Sequence, residues 1–216
     1  MGKIFVVIGP SCSGKDTILK MLNEYYGGLL KPIVLYTTRP IRINEEDGVT
    51  YNFVDNTILE KMEKENKIIE RRDYNTINGI WTYFTASENI DLENNSYLTL
   101  NTLEGYKSLK KYYGDDLVIP IYIYVKDEVR LERAINREKK QDNPNYKELA
   151  RRFLADCEDF SLKKVQEAGI THFYDNNNYS ADPSTWNKTQ SLEIVRDEII
   201  NTIETELYVK EKRKAV

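Results

Sequence analysis

One stretch near the N-terminus restricts the fold more than any other: Lys3-Ile4-Phe5-Val6-Val7-Ile8, then Gly9-Pro10-Ser11-Cys12-Ser13-Gly14-Lys15-Asp16-Thr17, then Ile18, Leu19, Met21 and Leu22. The first run is apolar and β-branched, the pattern of a strand buried on both faces of a parallel sheet. The last four residues keep helical spacing up to Tyr26, and Gly27-Gly28 stop the helix. Strand, glycine-rich turn and helix form the setting of a phosphate-binding loop, and the spacing is G-x-x-x-x-G-K. In such a loop backbone N–H groups wrap phosphate oxygens, the lysine reaches the outer phosphates, and the helix N-terminus adds partial positive charge. The candidate phosphate-binding set is therefore Gly9, Ser11, Cys12, Ser13, Gly14, Lys15, Asp16 and Thr17. One position departs from the pattern. A Ser or Thr hydroxyl normally follows the lysine and ligates Mg²⁺; here Asp16 stands there. Its carboxylate reads either as a favourable first-turn charge or as a direct Mg²⁺ ligand, since Mg²⁺ prefers hard oxygen donors.

The 216 residues suffice for one α/β domain with an insertion and a sizeable core. A net charge of −4 gives no bulk electrostatic reason to expect a nucleic-acid partner. Two cysteines, Cys12 and Cys157, make no disulfide framework, which fits a reducing compartment. No run approaches the ~18 apolar residues of a membrane span, and the chain enters its first strand with no room for a signal peptide. The expectation is a cytoplasmic protein, monomer or homodimer, acting on small molecules. The basic tail Lys210–Lys214 reads as a frayed, solvated end.

Along the chain, Lys31–Tyr36 reads as a second strand. Residues 37–94 then break the βαβ rhythm with a polar loop (Arg39–Gly48), short strands at Thr50–Val54, Ile68–Arg72 and Trp81–Thr85, and a helix from about Thr57 to Glu65 capped by Asp55 or Asn56. This reads as an inserted α+β lobe. The rhythm resumes with strand Tyr97–Leu100, helix Leu103–Tyr113, strand Leu117–Val125 and a helix from about Glu128 to Lys140 carrying Arg130, Arg133 and Arg137. After a break at Gln141–Asn145, a helix is expected from Tyr146 to Ala168, a strand at Thr171–Tyr174, a loop at Asp175–Asn187 and a closing helix at Gln190–Tyr208. Arg39 and Arg42, three apart on a turn, have the donors to clamp one phosphate; otherwise they are a solvated Arg-Pro loop. Arg133 and Arg137 share one helix face, either solvated or directed at transferring phosphates.

Four stretches together carry a family resemblance: Gly9–Thr17; Thr37-Thr38-Arg39-Pro40-Ile41-Arg42; Glu45-Glu46-Asp47-Gly48-Val49-Thr50-Tyr51-Asn52-Phe53-Val54; and the arginines around Arg133, Arg137 and Arg151-Arg152. The chain resembles guanylate kinase over nearly its whole length. The resemblance implies a three-layer P-loop core with a parallel sheet (1–36 and 95–216), an acceptor-binding lobe (37–94) and a helical lid (about 137–152). It implies ATP-dependent phosphoryl transfer to a nucleoside monophosphate, most simply GMP, with Mg²⁺. It assigns Arg39, Arg42 and Tyr51 to the acceptor's phosphate, Glu70 to the guanine N1–H and amino group, and Asn101 to a substrate-contacting strand end. Lys15, Arg39, Arg133, Arg137 and Arg152 (or Arg151) would neutralise the moving phosphoryl group.

The sequence also departs from the family. Leu35 replaces a serine that contacts the base oxygen, and Thr99 and Asn101 stand where two aspartates are usual. Asn75–Trp81 replaces a Gly-Asn-Tyr-Tyr-Gly segment, the lid signature after Arg137 is missing, and Cys12 replaces a loop glycine. Phosphate contacts persist while base and metal contacts change, so Asp16 is the candidate metal residue. The G-K-D loop is also similar to that of ribose 1,5-bisphosphate phosphokinase, which leaves a sugar-phosphate acceptor open. A non-catalytic guanylate-kinase-like binding module is the reading from a different class.

Overall fold

The computed structural model describes residues 1–42, 45–76, 79–177 and 188–214. In chain order its elements are β1 (Ile4–Ile8), α1 (Lys15–Tyr26), β2 (Leu30–Pro32), β3 (Tyr36–Thr37), β4 (Asn52–Phe53), α2 (Asn56–Lys64), β5 (Ile68–Thr76), β6 (Gly79–Ala86), β7 (Ser96–Leu100), α3 (Leu103–Tyr113), β8 (Val118–Tyr124), α4 (Asp127–Glu138), α5 (Tyr146–Asp159), α6 (Leu162–Glu167), β9 (Tyr174–Asp175) and α7 (Lys188–Lys214).

All of β1 is buried. Successive side chains of a strand point to opposite faces, so β1 feeds two cores. Phe5 and Val7 pack with Ile18 and Leu22 of α1 and with Val195, Ile199 and Ile203 of α7. Ile4, Val6 and Ile8 pack with Leu103, Tyr106 and Leu109 of α3 and Val165 of α6. Each of these side chains contributes about 1.5–3 kcal/mol by leaving water. The result is a three-layer α/β core. Its sheet runs β2-β7-β1-β8-β9, with every pairing parallel. Pro120, opposite Val6, is tolerated in β8 because β9 pairs only with Ile123 and Tyr124, leaving the strand's other edge open at that point.

A second sheet, ordered β4-β3-β6-β5, makes the inserted lobe. Its small core is Tyr36, Leu59, Met62, Phe84 and Ala86, covered by α2. Asp55, not Asn56, caps α2, its carboxylate accepting from the Ile58 N–H at 2.9 Å.

Several elements differ from the sequence expectations. The strand expected at Lys31–Tyr36 is two strands in two sheets: β2 pairs with β7, whereas β3 pairs with β4 and β6. Ile33, Val34 and Leu35 carry the chain from one sheet to the other along a cleft. The helix expected from Tyr146 to Ala168 breaks at Phe160-Ser161 into α5 and α6. Thr50–Val54 is reduced to β4, and the strand expected at Thr171–Tyr174 is β9, which shares only Tyr174 with it and takes in Asp175 from the expected loop. β5 and β6 are longer than expected, forming one hairpin from Ile68 to Ala86. The backbone of α7 continues through the basic tail to Lys214. Residues 43–44 of the polar loop, 77–78 of the replaced segment and 178–187 of the Asn-rich loop lie outside the described residues.

Candidate active site

The loop after β1 turns by two left-handed residues, Cys12 (φ 63°) and Gly14 (φ 91°). Glycine at position 14 relieves strain and also space: a Cβ there would lie 2.6 Å from Asn176 Nδ2. Gly9 is required by approach alone, since its Cβ would meet the Ile123 carbonyl at 2.8 Å. The Asn176 amide, at the end of β9, donates to the Ser13 carbonyl at 2.8 Å and fixes the turn from behind. The buried Ser13 hydroxyl has no hydrogen-bond partner among the described residues. Lys15 opens α1, with Nζ 3.5 Å from both the Pro10 carbonyl and an Asp16 oxygen. Asp16 and Thr17 are exposed on the first helical turn, Asp16 with 83% of its side chain in solvent. That position suits either reading of Asp16. Among the described residues no three His, Cys, Asp or Glu side chains cluster as a metal site. Mg²⁺ bound with phosphates needs only one or two protein carboxylates, so the donor set fits the ion.

The arginines of α4 and α5 divide their work. Arg133 donates to two backbone carbonyls, Cys12 at 3.2 Å and Asn176 at 2.7 Å, and so braces the loop. Arg137 and Arg152 line a cavity of about 170 Å³ with Ser11, Cys12 and Asp156, whereas Arg151 does not. Arg151 and Arg152 share Glu148, at 2.7 and 2.8 Å, and hold its carboxyl down at a pKa of about 2.

Two residues beside the loop were not singled out as site residues from sequence. Asp156 of α5 accepts a hydrogen bond from the Ser11 N–H at 2.8 Å, a carboxylate seated on the phosphate-binding loop. Arg130, 2% exposed, lies 3.8 Å from Asp156, forms an ion pair with Asp127 at 2.5 Å, and stacks over Phe153. Nothing local in the sequence marks the Asp156 contact, which joins residues 145 apart.

On the lobe, Arg39 is 4% exposed. Its two terminal nitrogens donate to the two oxygens of Glu45, both at 2.6 Å, and its Nε donates to the Tyr83 hydroxyl at 3.0 Å. Its guanidinium also sits 5.1 Å from the Tyr51 ring centre. The paired arginine holds the Glu45 carboxyl at a pKa of about 2, and Glu45 in turn raises that of Arg39. Arg39 thus supports Tyr51 and Tyr83 from below. Arg42 is exposed beside the Trp81 ring, its backbone N–H donating to Glu45 at 2.8 Å. Burial pushes the Tyr51 phenol above its ordinary pKa.

A cleft of about 500 Å³ joins loop and lobe, with Gly9, Ser11 and Lys15 on one side and Tyr51 and Arg72 on the other. Leu35, Thr99 and Asn101 line it as well. Asn101 accepts from the Thr102 N–H at 2.8 Å, while its buried Nδ2 has no hydrogen-bond partner among the described residues. Glu70, 8% exposed, is paired to Arg72 and accepts from the Thr85 hydroxyl at 3.0 Å.

A parallel sheet whose first strand ends in a phosphate-binding loop, facing a second sheet across a cleft, defines a P-loop nucleotide-binding fold. The solved guanylate kinase of Anaplasma phagocytophilum shares it, with a TM-score of 0.58 at 16% identity, over 95% of this chain and 86% of that one. The guanylate kinase family model matches residues 1–167. The chain belongs to the guanylate kinase family. Curated relatives include a guanylate kinase of Mycoplasma pneumoniae, 30% identical over 65% of this chain and 57% of that protein. Another is a guanylate kinase of Sus scrofa, 28% identical over 87% of this chain and 90% of that protein. The chain spans little more than half of the first relative, and the match to the Mycoplasma genitalium protein covers 31% of it. Among the described residues no helix is long and apolar enough to cross a membrane.

Proposed function

We propose that the protein transfers the terminal phosphoryl group of ATP to a nucleoside monophosphate, with GMP as the acceptor. The observation that carries this reading is the single cleft in which Lys15 and the loop face Tyr51 and the lobe. Donor and acceptor phosphates bound to those two walls share one space, and the reaction is chiefly positioning plus charge neutralisation.

In this reading residues 37–94 are the acceptor lobe and about 137–152 the lid. The loop N–H groups and Lys15 bind the donor phosphates. Arg133 keeps the loop rigid, and Arg137 and Arg152 bring positive charge from the lid cavity to the transferring group. Arg42 and the Tyr51 hydroxyl hold the acceptor phosphate, with Arg39 buried beneath as their support. Glu70 and Asn101 lie toward the nucleoside. Asp16 would hold Mg²⁺, which when bound neutralises phosphate oxygens. Asp156 must leave Ser11 when phosphate arrives.

The test is an acceptor panel of GMP, AMP, CMP, UMP and ribose 1,5-bisphosphate with ATP and Mg²⁺, reading ADP. GMP should lead in kcat/KM. A preference for the sugar phosphate, or ADP formation indifferent to acceptor, would overturn the proposal.

A further inference from the structure

Glu70 is paired with a residue that lines the cleft, Arg72. On β5, Glu70 and Arg72 are two residues apart and therefore share one face of the strand, while Arg71 turns away to Glu63 and Asp73. Arg72 Nη2 donates to one Glu70 oxygen at 3.0 Å; its Nε lies 3.0 Å from the other, an ion pair off the hydrogen-bond axis, and has no hydrogen-bond partner among the described residues. Arg72 lines the cleft beside Leu35 and Tyr51. The lobe thus offers an acceptor and a donor side by side, both held in place: the Glu70 carboxylate is 5% exposed and the Arg72 side chain 20%. Leu35 lines the same cleft with an apolar side chain that can donate nothing.

We propose that Arg72 is the specificity-determining residue for the acceptor's base: its guanidinium donates to the carbonyl oxygen at purine position 6 while Glu70 accepts from the neighbouring N1–H. This rests on the GMP reading above. Guanine presents an acceptor and then a donor along that edge, complementary to the Arg72–Glu70 pair. Adenine presents an amino donor to the guanidinium and a bare N1 to the carboxylate, so both contacts become repulsive. Discrimination of this kind is large because the rejected base leaves buried charged groups unpaired.

The test compares kcat/KM for GMP and for 2-aminopurine riboside monophosphate, which keeps the 2-amino group and lacks the 6-oxygen and, with it, the N1–H. The wild type, Arg72→Met and Arg72→Lys are measured. Wild type should favour GMP by at least about 100-fold. In Arg72→Met that ratio should fall at least about 10-fold, the Glu70 contact to N1–H accounting for the preference that remains, with ATP KM unchanged. Arg72→Lys retains a cation for Glu70 and so protects the fold; losing the planar fork, it should give an intermediate ratio. A wild-type ratio retained in both variants, or a GMP kcat/KM that rises in Arg72→Met, overturns the inference while leaving GMP as acceptor. A wild type that ignores GMP but phosphorylates another monophosphate overturns both.

Discussion

In the proposed reading the carboxylate of Asp156 occupies a donor that the phosphates of ATP would use, and removing it should tighten ATP binding. Its hydrogen bond from the Ser11 N–H is 2.8 Å long, and 18% of the side chain is exposed. A hydrogen bond to a charged group contributes about 1.5–3 kcal/mol net. ATP must forfeit that amount when it displaces α5 from the loop, so its apparent affinity is lowered by the population of the docked state. At ~1.4 kcal/mol per decade, Asp156→Ala should lower the ATP Kd at least about 10-fold. Asp156→Asn, which keeps a neutral acceptor, should fall between. The fold should survive, because Arg130 retains Asp127 at 2.5 Å and the Phe153 ring. Isothermal titration of ATP at one salt concentration reads the effect, with Tm of the free variants as the control for folding. A Kd in Asp156→Ala equal to or weaker than wild type would refute competition between this carboxylate and phosphate.

Arg42→Ala should raise the acceptor's KM by roughly 10-fold, one charge-assisted hydrogen bond, while changing the ATP KM little; initial-rate kinetics varying each substrate show it, and equal effects on both contradict the assignment. Asp16→Asn should weaken Mg²⁺ activation strongly yet leave metal-free ATP binding unchanged or improved, because a carboxylate repels phosphate when no metal lies between. An unaltered dependence of kcat on Mg²⁺ would leave Asp16 as a helix-terminus charge. The Glu45 carboxyl titrates near 2 when folded against an ordinary 4.5. Its contribution is therefore complete above about pH 4.5 and lost as pH falls toward 2. The drop in Tm across that window should be shallower in Glu45→Gln, and identical slopes would count against the Arg39–Glu45 pair as its cause.

The core was readable because its signals are local. The β1 run, the glycines at 9 and 14 and the helical spacing after Lys15 lie within one short stretch, and both sheet faces follow from strand alternation in β1. That α2 is capped at Asp55 or Asn56 was readable for the same reason, and the structure selects Asp55. The split of residues 31–36 was not, because Ile33, Val34 and Leu35 are as apolar as a strand but serve a cleft wall. Arg133 shows a different limit. Helical spacing placed it on one face with Arg137, yet the loop carbonyls it binds come from residues up to 121 positions away. The Glu70–Arg72 pairing is an intermediate case: strand alternation puts both on one face, but only the lobe's closure shows that Arg72 also borders the cleft.

Phosphorus NMR of the protein with ATP, Mg²⁺ and GMP tests the account most directly, since it identifies every phosphate species at once. The account requires the GMP signal to decline as GDP and ADP grow in equal amounts, and Lys15→Ala to slow this by more than about 10-fold, a loss above ~1.4 kcal/mol. ADP appearing with inorganic phosphate while GMP stays constant, or undiminished GDP formation in Lys15→Ala, would contradict it.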